Sequence, residues 1–524
     1  VKRSVTEECP LDPQNCFIAE LLFAGMHDDR IVAVDGNSQV SAREFCDGVN
    51  RWHQQFSEAG LNVGDTIALV LTNRIEFLEI LIAGLMSGIS VAPINWHLQG
   101  EEVRSLLSLC DASAVYTESR FLHSLEKAGD CCVTDVDSLA VSEHASTLAE
   151  VDSMSAAGRV ILFTGGTSGL PKGVVRQSPD SLAALFGHYR DLGRAIGLTG
   201  EGPHLIAGPL YHAAPLFYAL YDFVNGAPLI VMPQWRAEDA LRLIAQWQIR
   251  ATHFVPTQMV RLLRLDGAIK SRYQCDSLEL VLHGAAATAP EIKRSMIDWM
   301  GPVFEEYWGG SESGVVTRIS AIEWSQHPTS VGKPVRHYQV RIVDERTGEP
   351  LTAGELGVIQ IRHASGEVPF VYLGGAESMS LSAESGWFDL GDLGSVDVNG
   401  YLAICDRQKN KIICAGVNIY PAEIERQLLA LAEVQDVVAF GLPDPEWGEV
   451  PVAMVRLCIP TNEANLVAIN AQIVKQFDNV NRFIRPRQVF YVTDMPRMPN
   501  GKIRSADLLA IVRQQEYFAK INII

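Results

Sequence analysis

Apolar positions along this chain fall into two rhythms. From about residue 17 to 260, amphipathic stretches with helical spacing (41–60, 102–110, 237–248) alternate with short apolar runs (66–71, 160–163, 229–232). Apolar residues three and four apart line one face of a helix, whereas short Val/Ile/Leu-rich runs suit strands covered on both sides. The alternation therefore predicts parallel, helix-covered sheets. The rhythm changes between Val335 and Arg362, where two alternating segments, 339–344 and 357–362, flank the polar Thr347-Gly348-Glu349 and predict an antiparallel hairpin. Beyond Ile404 a charged segment, Asp406-Arg407-Gln408-Lys409-Asn410-Lys411, precedes a fresh αβ pattern that continues to Ile524. The expected class is α/β: helix-covered sheets with a hairpin-rich subdomain over 1–406, a boundary segment at 407–411, and a small α+β domain over 412–524.

A chain of 524 residues, 47% of them hydrophobic, has material for two or three cores. The longest apolar run, Ile80 to Ile94, is broken by Gly84, Ser87, Gly88 and Ser90 and ended by Pro93. It is shorter than the ~18 residues a membrane span requires, and it predicts a buried helix running into a strand. Against 43 Lys and Arg stand 62 Asp and Glu, a formal charge of −19. That sign opposes non-specific attraction to nucleic acid or anionic membrane, so a polyanionic ligand must be held by local backbone amides and a few placed cations. The ten cysteines form no C-x-x-C pair and no zinc-type spacing, and the first residues lack the apolar stretch of a secretory signal. Both point to a reducing, cytoplasmic setting without a disulfide framework or metal knuckle.

Candidate chemistry begins at Val160–Val174, an apolar strand that empties into Thr164-Gly165-Gly166-Thr167-Ser168-Gly169-Leu170-Pro171-Lys172-Gly173. Glycines let backbone N–H groups approach phosphate oxygens, hydroxyls add donors, and a lysine adds charge, which together describe an anion cradle. A Gly/Ser connector would share the Gly-Thr-Ser-Gly letters; the Pro-Lys-Gly continuation after a strand separates the two readings. The usual nucleoside-triphosphatase loop is excluded, because it would need glycine at Pro171 and Ser or Thr at Gly173. Glu306-Tyr307-Trp308-Gly309-Gly310-Ser311-Glu312-Ser313-Gly314 combines an aromatic, glycines, a hydroxyl and a carboxylate that could reach Mg2+ on a triphosphate. An ordinary turn would look similar.

The loop resembles the signature of the adenylate-forming superfamily, which includes acyl-CoA synthetases, and departs from it at Gly165, where serine is usual. The resemblance extends over five ordered motifs from about residue 17 to 510. It implies that Thr164, Gly165, Gly166, Thr167, Ser168, Gly169 and Lys172 bind the phosphates of ATP. Trp308, Gly309 and Ser311 would serve the nucleotide, and Glu312 the metal. The small-residue segment His283-Gly284-Ala285-Ala286-Ala287 would leave room for adenine and the acyl chain at Gly284 and Ala285. Gly386-Trp387-Phe388-Asp389-Leu390-Gly391-Asp392 is similar to the family element whose final Asp binds both ribose hydroxyls; Leu390 replaces a threonine, and Arg407 is implied as a further ribose or phosphate contact.

By the same resemblance Lys409 is the hinge about which a mobile small domain turns between half-reactions, and Gly416 lies beside the pantetheine arm of coenzyme A. Lys502, in the loop 495–504, balances charge as carboxylate meets α-phosphate. Pro209-Leu210-Tyr211-His212 resembles the segment whose His borders the acyl site; a satisfied core histidine is the competing reading. Leu216, Phe217, Tyr218 and His253-Phe254-Val255-Pro256-Thr257 suggest a largely apolar pocket. The expected activity is ATP- and Mg2+-dependent ligation of a fatty or bulky apolar acid to coenzyme A, with a homodimer as one expected assembly. Loading of a carrier-protein phosphopantetheine, or a non-catalytic sensor on this scaffold, are the alternatives.

Overall fold

The structure, a computed structural model, describes residues 22, 29–36, 38–98, 100–125, 131–138, 153–164, 172–375, 386–407, 410–414, 417–477, 484–497, 503, 505–517 and 519–522. The chain divides into two compact units, one of Val1–Ala285, Arg294–Val315 and Pro369–Ser378, the other of Ala286–Lys293, Val316–Val368 and Met379–Ile524.

In the first unit, local signals set the helices. Ser41 caps helix Ala42–Glu58 in a capping box, its hydroxyl taking the Glu44 N–H while its own N–H donates to Glu44 Oε2 at 2.7 Å. Phe45, Val49, Trp52 and Phe56 then fall on the buried face. The apolar run around residues 80–94 is helix Ile75–Met86 followed by strand Ser90–Pro93, both largely buried, as its pattern predicts. That strand belongs to a parallel sheet in the order Ser90–Pro93, Thr66–Val70, Ala112–Thr117, Cys132–Asp135. A second sheet runs Phe304–Gly310, Leu280–His283, Ala251–Phe254, His204–Ile206, Leu229–Val231, Ile31–Asp35 in parallel, with Ser38–Ser41 added antiparallel.

One expectation is corrected. The strand leading into the glycine loop touches the parallel sheet only through the bridge of Val160 to Val91: Ile161–Thr164 pairs antiparallel with Lys172–Arg176, which pairs antiparallel with Phe370–Tyr372. Seven residues separate Thr164 from Lys172. A parallel return needs a crossover of about a dozen residues or more, so so short a connection enforces a hairpin.

The second unit contains the expected hairpin, Tyr338–Val343 against Gly357–His363, extended antiparallel by Trp387–Val396 and Leu402–Arg407. Its C-terminal sheet centres on Val434–Asp444 paired with Gly448–Leu457, and Gln488–Tyr491 joins in parallel. Ile424, Leu428, Ile469, Ile473, Val455 and Val489 fill the core between this sheet and its helices.

Candidate active site

The mouth of the glycine loop is closed by its flanking residues. Thr164 and Lys172 are register partners, and the Thr164 hydroxyl donates to the Lys172 carbonyl at 3.5 Å. Gly165, Gly166, Thr167, Ser168 and Gly169 lie outside the described residues. Gly173 is glycine for a steric reason: a Cβ there would stand 2.8 Å from Leu373 Cδ1.

Lys172 reaches over the ring of Tyr372, Nζ lying 4.8 Å from its centroid. The Tyr372 hydroxyl donates to Glu312 Oε1 at 2.9 Å. One aromatic side chain thus connects the loop lysine to the carboxylate expected to serve the metal. Glu312 sits in the turn after strand Phe304–Gly310, held by a hydrogen bond from Gly310 N–H to Ser313 Oγ at 3.1 Å. From the other side Arg176 donates to the Ser311 carbonyl at 2.7 Å and to Gly310 O at 3.4 Å. Neither Tyr372 nor Arg176 carries a motif. Arg176 could have been found from strand periodicity, since it shares a face with Lys172, but nothing local marks Tyr372.

Trp308, expected beside adenine, is 7% exposed, and Gly309 follows it on the same strand. Its neighbour Tyr307 is equally buried and shares a 3.0 Å hydrogen bond with His253 Nε2. Burial first, and then the proximity of His204 and His212, depress His253 to about 3, so its ring is neutral at physiological pH. Gly284 has no room for a side chain, because a Cβ would meet the Tyr307 carbonyl at 2.7 Å and its ring at 2.8 Å. Ala285 takes a left-handed φ of 65°. His212 occupies the N-cap position of helix Ala213–Val224, its ring centroid 4.5 Å from that of Tyr211. That helix buries Leu216, Phe217 and Tyr218.

In the second unit, Asp392 and Arg407 are register partners on adjacent strands. Arg407 Nε lies 2.7 Å from Asp392 Oδ1, and its Nη1 donates to the Leu390 carbonyl at 3.0 Å. The Asp392 side chain is 5% exposed and that of Arg407 51%. A buried carboxylate needs such a partner, and a guanidinium at the rim offers remaining donors outward. Asp406 takes the N–H of Ala422, in the first turn of helix Pro421–Leu429, at 3.0 Å. Lys409, Gly416 and Lys502 lie outside the described residues.

This donor set fits magnesium carried on a triphosphate. Mg2+ typically takes one or two carboxylates and completes its shell with phosphates and water, which is what the single carboxylate of Glu312 beside Lys172 and Tyr372 offers. Among the described residues, no cluster of three or more His, Cys, Asp or Glu forms a metal cage, and no helix is long and apolar enough to cross a membrane.

Lys172 and the Glu312 turn belong to the first unit, and the Asp392–Arg407 pair to the second. The AMP-binding enzyme model matches residues 23–366, and the model of the AMP-binding enzyme C-terminal domain matches 423–502. The chain therefore belongs to the AMP-binding enzyme family, and it is an adenylate-forming enzyme of the acyl-CoA synthetase type, as its motifs imply. It is 27% identical to 2-succinylbenzoate–CoA ligase of Geobacillus kaustophilus, over 93% of this chain and 96% of that one. It is also 27% identical to the medium/long-chain-fatty-acid–CoA ligase FadD8 of Mycobacterium tuberculosis, over 91% and 86%. Among solved structures, o-succinylbenzoate CoA synthetase of Bacillus subtilis with its acyl-adenylate intermediate superposes with a TM-score of 0.77, at 24% identity, over 95% of this chain and 98% of that one.

Proposed function

We propose that this chain is an ATP-dependent acid–thiol ligase that activates a hydrophobic carboxylic acid as its acyl-adenylate and passes the acyl group to coenzyme A. The observation that carries the reading is the Lys172–Tyr372–Glu312 chain at the mouth of the glycine loop, an ammonium and a carboxylate held on one ring. Relatives named as CoA ligases support the thiol acceptor, and the one named for medium- and long-chain fatty acids supports an apolar acid.

In the first half-reaction a carboxylate oxygen of the substrate attacks the α-phosphorus of ATP. A P–O bond forms, the bond to the β-phosphate bridge breaks, and pyrophosphate leaves. Thr164, Gly165, Gly166, Thr167, Ser168, Gly169 and Lys172 hold the phosphates, and Glu312 orients Mg2+, whose charge offsets that of the triphosphate. Trp308, Gly309, Ser311, Gly284 and Ala285 border the base and acyl group, Asp392 and Arg407 hold the ribose, and His212 borders the acid. Lys502 balances the negative charge that develops between carboxylate and phosphate.

In the second half-reaction the coenzyme A thiol gives up its proton to solvent, its sulfur attacks the acyl carbon, and AMP departs with the electron pair of the broken C–O bond. The reading assigns Lys409 as the pivot between the two steps and Gly416 as the residue beside the pantetheine arm. The reading takes 1–406 and 412–524 as the domains, with a hinge at 407–411, in a cytoplasmic setting. The deciding experiment measures pyrophosphate release across a panel of aliphatic and aromatic acids, with and without coenzyme A. Acid-dependent release with thioester formed only when coenzyme A is present is expected; release without any thioester would remove coenzyme A as the acceptor.

A further inference from the structure

Arg176 is a residue that no motif singles out, yet it meets three elements that carry proposed site residues. It stands on strand Lys172–Arg176, on the same face as Lys172 and ~13 Å further along, four steps of roughly 3.3 Å. Its guanidinium donates to the carbonyls of Ser311 and Gly310 at 2.7 and 3.4 Å, the backbone immediately before Glu312. The same group lies 4.5 Å from the ring centroid of Phe217 and lines one cavity with Phe217 and Tyr221, both on the helix that His212 caps. Gly314, at the far end of the turn, takes φ +72°, and a Cβ there would stand 3.3 Å from Arg176 Nη1. The turn is thus packed against this guanidinium from two sides.

Those contacts need the planar fork of arginine. Two carbonyls of consecutive residues accept from Nε and Nη2 while the flat face rests on Phe217, an arrangement a lysine ammonium cannot reproduce. Without the fork, the turn keeps the Gly310–Ser313 hydrogen bond and the pairing of its flanking strands, Phe304–Gly310 and Gly314–Ser320, while the Gly310 and Ser311 carbonyls just before Glu312 lose the side chain that holds them. We propose that Arg176 is a positioning residue: by gripping the Gly310–Ser311 carbonyls it sets where the Glu312 carboxylate meets the metal of the bound metal–nucleotide complex. This rests on the reading that Glu312 serves the metal.

The test titrates ATP by calorimetry into the full chain in excess Mg2+ and again in EDTA; the ratio of the two affinities is the gain the metal confers. In Glu312→Gln the gain collapses. In Arg176→Met it falls by about tenfold while affinity in EDTA stays within about twofold, and in Arg176→Lys it falls by an intermediate factor. The double variant Arg176→Met/Glu312→Gln shows no further loss beyond Glu312→Gln alone, because the two residues act as a unit. A thermal melt identifies unfolding; should Arg176→Met be unfolded, Arg176→Lys decides by the same ratio. An unchanged gain in a folded Arg176 variant, equal losses with and without metal, or additive losses in the double variant would overturn the positioning role. An unchanged gain in Glu312→Gln would instead bring down the metal reading on which it rests.

Discussion

Asp392 and Arg407 face each other across adjacent antiparallel strands, and Arg407 Nε closes a 2.7 Å ion pair with Asp392 Oδ1. The pair holds one carboxylate oxygen while the aspartate is almost wholly buried, which fixes the direction of the other. A carboxylate so oriented can accept from two vicinal hydroxyls. Asp392→Asn keeps the shape and removes the charge. ATP affinity measured by calorimetry is expected to fall roughly tenfold to a hundredfold, as for loss of charge-assisted hydrogen bonds. Unchanged affinity would exclude the ribose role.

Tyr372 does two jobs that one substitution can separate. Tyr372→Phe removes the hydroxyl that donates to Glu312 but keeps the ring under Lys172. A hydrogen bond to a charged acceptor contributes about 1.5–3 kcal/mol. The Mg2+ concentration needed for half-maximal adenylate formation should rise several-fold with little change in melting temperature. Tyr372→Leu, which loses both contacts, should be worse; a Tyr372→Phe variant that behaves as wild type would show that the hydroxyl is idle, and equal behaviour of the two variants that the ring contact to Lys172 is.

Glu79 gives stability a pH dependence. Burial, outweighing Arg51 and the hydrogen bond from Trp52 Nε1 at 3.1 Å, pushes its carboxyl from 4.5 up to about 7. The native state holds the proton more tightly than the unfolded chain. This contribution to stability is therefore full below about 4.5, is lost as pH rises towards about 7, and stays lost above it. The difference is of order 3 kcal/mol. Glu79→Gln should flatten that part of the profile in chemical denaturation between pH 5 and pH 8 and raise stability at pH 8. A profile that keeps the wild-type slope would contradict a buried, protonated Glu79.

The proposed mechanism has Lys502 serve the first half-reaction only. In Lys502→Ala, acid-dependent pyrophosphate release should fall by at least about a hundredfold, the scale of losing one electrostatic stabiliser. Thioester formation from supplied acyl-adenylate should largely survive. Equal loss in both assays would show that a single arrangement serves both steps.

Much of the architecture was legible because it rests on local chemistry. Ser41 and Glu44 announce a helix start three residues apart, and the segments read at 339–344 and 357–362 flank the polar Thr347-Gly348-Glu349 as the arms of a hairpin do. The motif residues Lys172, Glu312, Asp392 and Arg407 were likewise visible, since each lies in a short stretch of recognisable composition. The antiparallel setting of Ile161–Thr164 was not, because an apolar run of that length reads the same whichever way its partner points.

By itself the amino-acid order determined the class of fold, the positions of the loop and turns, and the kind of ligand such residues can hold; these depend on neighbours a few positions apart. Tertiary structure decided the pairings: Tyr372 with Glu312 sixty residues earlier, Arg176 with Ser311 across 135, and His253 with Tyr307 across 54. Such contacts arise from strand register and sheet order, which bring together side chains that no local pattern relates.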